Sequence, residues 1–390
     1  MHRPTIRTLT LGVAGAHPLP ATRLAAAVAT LHRVRQAFLD TGYAVQTIRL
    51  STTSILEQAW ESAAALDAYC ARLQSDVDGL GIDHCSAGAA PADRADFDLS
   101  RLSQLPDLVA AYPALSWGVR LASAEHGVRA AAALPAARVM IGIAERTAHG
   151  IGNFRFAALA RVGPGHPFFP ASRHRGRAAL TIGLQGAEVV DRAITARGRL
   201  DPDAVTAAVR EHMTAAAGPV VDLGRRLSAD LRLRFGGIDL SPAPSVEAGI
   251  GAALERAIGS RFGDPGTLAV VGAITRALRG TGLPVCGYNG VMLPVMEDPV
   301  LALAWSQGRI GAHDLLSYSA ICGTGLDTVP LPGDTPVEWI AGLLLDVATL
   351  ADRLDKPLSA RLFPLPGLGP GDRTRFDSPY LVNLTLPGHG

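Results

Sequence analysis

Short apolar segments alternate with longer segments of helical periodicity along most of the chain. Residues 6–11, 43–50 and 181–184 are compact and mostly apolar, which is typical of buried strands. Residues 22–39 and 337–354 repeat apolar side chains at a spacing near 3.6, which predicts amphipathic helices. Strands joined by long crossovers favour a largely parallel sheet, so the pattern predicts an α/β protein.

Three further segments complete the predicted layout. Residues 139–143 are β-branched and apolar, which predicts a short strand. Residues 86–100 are small and acidic, which favours a surface loop, and residues 102–136 are predicted to be mostly helical.

A glycine-rich stretch near the C-terminus carries the first candidate chemistry. An apolar, extended segment leads to Cys322, after which Gly323 and Gly325 bracket Thr324 and Asp327 follows. Glycines let the backbone approach a ligand or adopt positive φ. The alternative is a buried thiol beside a tight turn.

A helix start follows this stretch. Thr335 and Glu338 have the spacing of a capping box, with Pro336 at the first helical position. A strand that breaks into a glycine turn and then enters a helix is typical of an α/β active-site loop.

A proline-rich loop at residues 163–174 is the second candidate. Its prolines and glycines restrict the backbone and present His166, Phe168, Phe169 and His174. Aromatic and imidazole groups on a rigid loop suit an anionic or carbonyl-bearing ligand. The alternative is that both phenylalanines fill a core and the histidines are solvated.

Similar loop signals recur at other strand ends. Residues 235–241 repeat the order of strand, glycine and aspartate with Asp239, and residues 284–298 contain a turn at Asn289 and end in Glu297 and Asp298. The two consecutive carboxylates are candidate ligands of a divalent cation, or else a solvated helix start. Because such loops recur across the chain, we predict a closed or nearly closed α/β barrel with one convergent site.

Composition excludes several classes of protein. Of the 390 residues, 48% are hydrophobic and 18% charged, and the net charge is +1, so neither nucleic acid nor a membrane is an expected partner. The four cysteines are scattered, which predicts free thiols and a cytoplasmic location. Lys356 is the only lysine and follows no glycine-rich loop, so neither pyridoxal phosphate nor a nucleotide P-loop is expected.

Several segments together resemble domain-of-unknown-function family 711, also called uncharacterised protein family 0210. They are residues 153–157, 167–170 with His174, 235–241, 289–298 and 322–334. The resemblance implies a single domain over residues 1–390. Residues 151–380 match best, residues 1–150 match in general layout, and Gln185 stands where the pattern has a glutamate.

The family resemblance implies a fold like the α/β barrel of glycyl-radical enzymes such as pyruvate formate-lyase. Those enzymes carry a cysteine on a loop inside the barrel, so Cys322 is a candidate for a comparable position. Residues 375–380 lack the glycyl-radical pattern, so no radical is expected. The family also implies an ACT-type regulatory partner and a place in amino-acid or keto-acid metabolism.

The sequence therefore predicts a non-radical enzyme that acts on a small carboxylate or acyl/carbonyl metabolite, in keeping with specialised biosynthesis. Cys322 would be the nucleophile or acid/base, His174 its partner, and Asp327 or Asp239 would orient the imidazole. Arg155 would hold a substrate carboxylate. The predicted substrate-binding residues are Asn153, Arg155, His166, Phe168, Phe169, Asn289, Gly323, Thr324 and Gly325.

Two alternatives remain open at this level. One is an amino-acid or keto-acid binding regulatory protein without chemistry. The other is a metal-dependent lyase or isomerase that uses Asp239, Glu297, Asp298 and Asp327. A homodimer is the expected assembly, since two-fold dimers are the commonest oligomers.

Overall fold

Strands with almost entirely buried side chains form one ten-stranded sheet. The computed structural model describes residues 3–195, 201–243, 246 and 248–387. The strands are β1 Ile6–Gly12, β2 Val45–Ser51, β3 His84–Ala90, β4 Leu115–Ser123, β5 Gly127–Val128, β6 Phe156–Ala160, β7 Ala179–Leu184, β8 Arg234–Asp239, β9 Gly325–Pro332 and β10 Leu358–Leu365. Their order across the sheet is β8-β7-β1-β2-β3-β4-β6-β10-β9, and β5 pairs with β4.

The strands fall into two sets of opposite direction. β1, β2, β3, β4 and β6 run parallel to one another. β7 and β8 form one parallel pair and β9 and β10 another, and each pair joins the first set through an antiparallel contact. The fold is therefore mixed α/β, which confirms the predicted class.

An extended segment lies between the two edges of the sheet. Val285 makes a single parallel bridge to Ile238 of β8, and Pro294 makes another to Asp327 of β9. Within the described ranges, β8 and β9 do not pair with each other, so the hydrogen-bonded sheet is not closed.

Helices cover the sheet on one side. They are α1 Ala21–Asp40, α2 Ala63–Gly79, α3 Leu105–Ala111, α4 Ala133–Arg146, α5 Ala187–Thr195, α6 Pro202–Asp230, α7 Gly251–Ile258, α8 Thr267–Arg279, α9 Pro299–Ser306, α10 Ala312–Ser319 and α11 Val337–Arg353. α4 packs on α11 and α6 on α8. None of the helices in the described ranges combines the length and apolar character needed to cross a bilayer.

Side chains of the sheet alternate between two apolar clusters. In β6, Phe156, Ala158 and Ala160 belong to the large core, whereas Ala157 and Leu159 belong to a smaller second cluster. We call the side of the sheet that bears this smaller cluster the inner face. Its other members are Ala89, Val162, Phe168, Ala171, Ala243, Tyr288 and Met292.

Some predicted elements are wrong. Residues 139–143 lie inside helix α4, because their apolar side chains continue a helical face that began before them. Residues 102–136 contain strand β4, and residues 86–90 belong to the buried strand β3. Small side chains suit β3, since a Cβ at Gly88 would lie 2.5 Å from the Ser54 Cα atom.

The glycine stretch around Cys322 also differs from its predicted layout. Helix α10 ends at Ser319, and the strand β9 follows the glycines instead of preceding them. The predicted capping box is absent from the described contacts, because the Thr335 hydroxyl donates to the Pro332 carbonyl at 2.7 Å. Helix α11 begins after Pro336.

Asp298 ties the start of α9 to the start of α7. Its carboxylate accepts hydrogen bonds from the Val300 N–H at 2.8 Å, the Leu301 N–H at 3.2 Å and the Gly251 N–H at 2.8 Å. The side chain is fully buried. These bonds satisfy helix N-terminal N–H groups that have no partner inside a helix.

We expect Asp298→Ala to lower the free energy of unfolding by about 2–3 kcal/mol, because it leaves three buried N–H groups unsatisfied. Urea unfolding followed by circular dichroism measures this change. Asp377→Ala, at an exposed position, is the control and should change the free energy by less than about 0.5 kcal/mol. Equal effects of the two variants would contradict the assigned role.

Candidate functional site

A cavity of about 60 Å³ lies on the inner face of the sheet. Its charged lining residues are Arg7, Arg49, Glu297, Asp327 and Arg361, its aromatic ones Phe154, Phe168, Phe169 and Tyr288, and its hydroxyl-bearing ones Thr324 and Ser359. A second cavity, of about 900 Å³, shares Arg7, Arg49, Phe154 and Phe169 with it. The two cavities therefore adjoin, and both strand sets contribute to the inner one.

The connection between β6 and β7 reaches this cavity. The Thr10 hydroxyl donates to the Pro167 carbonyl at 2.8 Å, and the Ser86 hydroxyl donates to the Ser172 carbonyl. Phe168 packs on Gly183, where a Cβ would lie 2.5 Å from its ring. Residues 168–171, at the tip of this connection, line the cavity. The loop that links the two strand sets thus presents aromatic side chains to the inner face.

A buried arginine joins two carboxylates at the cavity wall. The Arg361 Nε–H donates to Asp327 Oδ1 and its Nη2–H donates to Glu297 Oε1, both at 2.5 Å. All three residues are buried. Burial acts to lower the pKa of Arg361, but Asp327 and Glu297 raise it above its ordinary value. Burial raises the pKa of Glu297, although Arg361 acts in the opposite direction.

Arg49 is a buried cation of a different kind. It is 5% exposed, and among the described residues its guanidinium has neither an ion pair nor a hydrogen bond. Its Cζ atom lies 4.4 Å from the centroid of the Phe169 ring. Burial and then the charge of Arg7 lower the pKa of Arg49 to about 9, so the group stays protonated at neutral pH. The cavity therefore contains a positive charge that makes no ion pair with the described residues, although Asp83, Tyr380 and Glu297 attract it from a greater distance.

Hydroxyl groups cluster at another part of the wall. The Tyr288 hydroxyl donates to Ser359 Oγ at 2.8 Å, and the Ser359 hydroxyl donates to the Thr324 carbonyl at 3.1 Å. Thr324 Oγ1 is buried and has no hydrogen-bond partner in the described part of the chain. The same holds for the buried hydroxyls of Ser51, Ser54, Ser116 and Ser228.

Several predicted site residues lie at this cavity. Phe168, Phe169, Thr324, Asp327 and Glu297 line it. His166 is buried just behind, with its ring centroid 4.0 Å from that of Tyr288, and burial lowers its pKa to about 3. Its imidazole is therefore neutral at physiological pH.

Cys322 and His174 are not brought together. Cys322 belongs to the large apolar core, where its Sγ accepts from the Gly325 N–H at 3.5 Å. His174 packs against Gly12 at the end of β1, and its Nε2 lies 3.1 Å from the Gly176 carbonyl oxygen. Neither residue is part of the described cavity lining. Cys322 lies on the turn between α10 and β9, and its side chain packs in the apolar core instead of facing the cavity.

The predicted orienting residue Asp239 holds a turn. It accepts from the Ser241 N–H at 2.9 Å and from the Tyr288 N–H at 2.8 Å. The Asn289 side chain accepts from the Leu240 N–H at 3.0 Å and donates to the Cys286 carbonyl at 2.7 Å. Both side chains are thus committed to backbone groups and position Tyr288.

Other predicted binding residues also bond to the backbone. Arg155 donates to the carbonyls of Val109, Tyr112 and Leu115 at 2.9, 3.0 and 3.2 Å, at the C-terminal end of α3. Asn153 donates to the Met140 carbonyl at 2.9 Å.

The two predicted glycines act through close backbone packing. The Gly323 N–H donates to the Val291 carbonyl at 2.6 Å. Gly325 has a φ of 101° and packs against the Ser359 backbone, where a side chain would clash. Like Arg155 and Asn153, these residues lie outside the described cavity lining and position the elements around it.

The two candidate metal ligands do not share a site. Glu297 faces the cavity and bonds Arg361, whereas Asp298 turns away to cap α9. Across the described ranges, there is no group of three or more His, Cys, Asp or Glu side chains arranged to hold a metal ion.

Five lining residues are not among those predicted from the sequence, namely Arg7, Arg49, Arg361, Tyr288 and Ser359. A signal was present, because Arg49 lies between Ile48 and Leu50 and Arg361 lies between Ala360 and Leu362, so each is a charge inside an apolar strand. Charged residues are rarely fully buried unless paired, so such positions indicate a functional or ionic role.

Fold and cavity together define an α/β protein with an arginine-lined cavity on the inner face of its sheet. The chain belongs to the family described as Uncharacterised ACR (DUF711), whose profile matches residues 1–377. This confirms the family that the sequence resembles.

Curated relatives agree with this assignment. A UPF0210 protein of Pyrobaculum arsenaticum is 31% identical over 353 residues, which are 85% of this chain and 76% of the relative. One of Corynebacterium glutamicum is 28% identical over 404 residues, covering 96% of this chain and 86% of the relative. A third, from Methanopyrus kandleri, is 28% identical over 316 residues, or 77% and 69% of the two chains.

We expect Arg361→Leu to destabilise the protein by about 3–5 kcal/mol at pH 8, because it removes the guanidinium that bonds both buried carboxylates. Burial already raises the pKa of Glu297, and without Arg361 this pKa would lie further above that in the unfolded chain. The variant's free energy of unfolding should therefore rise relative to the parent as the pH is lowered to 5. Urea unfolding at both pH values measures this.

The control is Arg146→Leu, which removes an exposed pair with Asp107 at 2.6 Å. It should change the free energy of unfolding by less than about 1 kcal/mol at either pH. A loss in Arg361→Leu that is the same at pH 5 and pH 8 would contradict the charge argument.

Proposed function

We propose that this protein binds a small carboxylate or acyl-type metabolite in the inner cavity and acts on it by non-radical acid–base chemistry. The observation that carries the proposal is Arg49, a buried guanidinium at the cavity wall that has neither a hydrogen bond nor an ion pair with the described part of the chain. Burying an unpaired charge is costly, and an anionic ligand removes that cost on binding. Arginine also offers a planar pair of donors that matches a carboxylate.

The charge of the lining supports an anionic ligand. Three guanidinium groups, those of Arg7, Arg49 and Arg361, face the two carboxylates of Glu297 and Asp327. Arg361 already satisfies both carboxylates. Arg7 lies farther away, with its Nη2 atom 4.0 Å from Glu297 Oε2. One positive charge is therefore in excess, on the side of the cavity where Arg7 and Arg49 lie.

Glu297 is the proposed acid/base. It lines the cavity, and burial raises its pKa, which brings a carboxyl group closer to the range where it exchanges protons near neutral pH. Arg361 holds one of its oxygens at 2.5 Å and fixes its orientation. Proton transfer next to a carbonyl or carboxyl group is chemistry that such a residue supports without metal or thiol.

We also propose that the sheet forms a nearly closed barrel. Residues 284–297 bridge to both edge strands, which supports a nearly closed barrel of two parallel halves, like the pyruvate formate-lyase fold. A cytoplasmic location, a homodimer, an ACT-type partner and a role in specialised biosynthesis remain proposals, the first supported by four free thiols.

A second candidate is a regulatory protein that binds an amino acid or keto acid without chemistry. The observation in its favour is that Arg361 holds both carboxylates of the inner cavity, Glu297 and Asp327. It shares the arginine-based binding step with the enzyme and differs in forming no product.

We expect Arg49→Gln to weaken the binding of small carboxylates roughly 10- to 100-fold, since a charge-assisted hydrogen bond contributes about 1.5–3 kcal/mol. Isothermal titration with a panel of carboxylic acids measures this. Arg33→Gln, at an exposed position on α1, is the control and should bind as the parent does. Unchanged affinity in Arg49→Gln would remove the basis of the proposal.

Turnover separates the roles of Glu297 and Cys322. Incubation with metabolite mixtures, followed by mass spectrometry, identifies a substrate and its product. We expect Glu297→Gln to lower turnover by at least about 100-fold, as is typical for a lost acid/base, while Cys322→Ala keeps it within a few-fold. The opposite result would restore the thiol as the reactive group, and binding without any product would favour the regulatory protein.

A further inference from the structure

A series of planar side chains lines the cavity of about 900 Å³, which we call the outer cavity. The four residues are His84, Phe154, Phe169 and Tyr380. The ring centroids of His84 and Phe169 lie 4.6 Å apart, and those of Phe169 and Phe154 lie 5.7 Å apart. The centroids of Phe154 and Tyr380 lie 5.9 Å apart. Each ring thus contacts the next, and we call the four residues the aromatic wall.

The aromatic wall retains accessible surface. Tyr380 is 48% exposed, and the other three residues are only partly buried. Phe154 and Tyr380 stack with an angle of 12° between their planes, so Phe154 covers one face of the Tyr380 ring and leaves the other. The volume of the outer cavity falls within the range of about 300–1,000 Å³ that is usual for sites of small organic ligands. Accessible aromatic surface in such a cavity suits the apolar part of a ligand.

A guanidinium lies beside this wall. The Cζ atom of Arg49 is 4.4 Å from the centroid of the Phe169 ring. The Nε atom of Arg49 is buried, whereas its two Nη atoms are accessible and bond no described residue. Arg49 and Phe169 line both cavities. A carboxylate bound at Arg49 therefore lies next to the aromatic wall, and the rest of its molecule can extend into the outer cavity.

We infer that the ligand is an aromatic carboxylate, with its carboxylate at Arg49 and its ring against the aromatic wall of the outer cavity. This inference rests on the proposed carboxylate binding and adds the class of substrate. Aromatic rings pack on one another in offset-stacked or edge-to-face geometry, and a saturated ring of similar size lacks the π-system that favours these contacts. Tyr380 is then a specificity-determining residue, because its ring is the most exposed of the four.

The test compares acetate, cyclohexanecarboxylate and benzoate by isothermal titration at pH 8, where all three acids are ionised. The parent protein should bind benzoate at least about threefold more tightly than cyclohexanecarboxylate, because contacts between aromatic rings add to the effect of buried area. Both ring acids should bind more tightly than acetate, which buries no ring. Tyr380→Leu keeps an apolar side chain but removes the ring, and it should lower the ratio of benzoate to cyclohexanecarboxylate affinity by at least about twofold.

Matched variants serve as controls. Tyr380→Phe retains the ring and should retain the ratio. Trp339→Leu removes an exposed aromatic side chain outside the described lining of both cavities, and it should leave every affinity unchanged. Equal binding of benzoate and cyclohexanecarboxylate by the parent overturns the inference even if a variant does not fold. An undiminished preference for benzoate in Tyr380→Leu overturns it as well.

The failure of this inference differs from that of the proposed function. If the three acids bind equally and the binding is lost in Arg49→Gln, carboxylate binding stands and only the role of the aromatic wall falls. If none of the acids shows Arg49-dependent binding, the proposed function itself falls.

Discussion

The ion pair of Arg361 with Asp327 and Glu297 is the interaction on which the rest of the inner face depends. It joins β10, β9 and the segment that bridges the sheet edges at one buried point. The backbone follows the same path, since the Val295 N–H donates to the Asp327 carbonyl at 3.0 Å. Buried pairs of this kind add little net stability, yet losing one partner is strongly destabilising. The ion pair therefore contributes more to the specificity of this arrangement than to the stability of the fold.

This arrangement also sets the electrostatics of the cavity. Two carboxylates neutralise Arg361, whereas Arg49 makes no ion pair in the described ranges, and Phe169 covers one face of its guanidinium. A water-poor environment strengthens each remaining electrostatic interaction. The lowered pKa of Arg49 and the raised pKa of Glu297 are thus two consequences of the same burial.

Phe169 and Cys322 both lie on loops, but only Phe169 lines the cavity. The loop between β6 and β7 reaches the cavity because Thr10 and Ser86 anchor it on the inner face. Cys322 lies on a turn before β9 and joins the apolar core with the helices. The same turn still contributes to the inner face, because Thr324, two residues after Cys322, lines the cavity. Side-chain direction within the turn therefore decides which residue faces the core and which faces the cavity.

The sequence by itself determined the α/β class, the principal strands such as β1 and β7, and the helices α1 and α11, because apolar periodicity reports burial locally. It also marked Phe168, Phe169, Thr324 and Asp327, which line the cavity. It did not determine strand β4 or helix α4, since short apolar runs are compatible with either element.

Only the tertiary structure decided which of the marked residues meet. Cys322, His174, Asp239 and Arg155 carry reactive or charged groups, and local sequence contains no information on the partners that occupy them. Arg49 and Arg361 look alike along the chain, each within an apolar strand. One has two carboxylates within 2.5 Å and the other has none among the described residues. Strand order and side-chain direction across the sheet set that difference, and both depend on contacts between residues far apart in the chain.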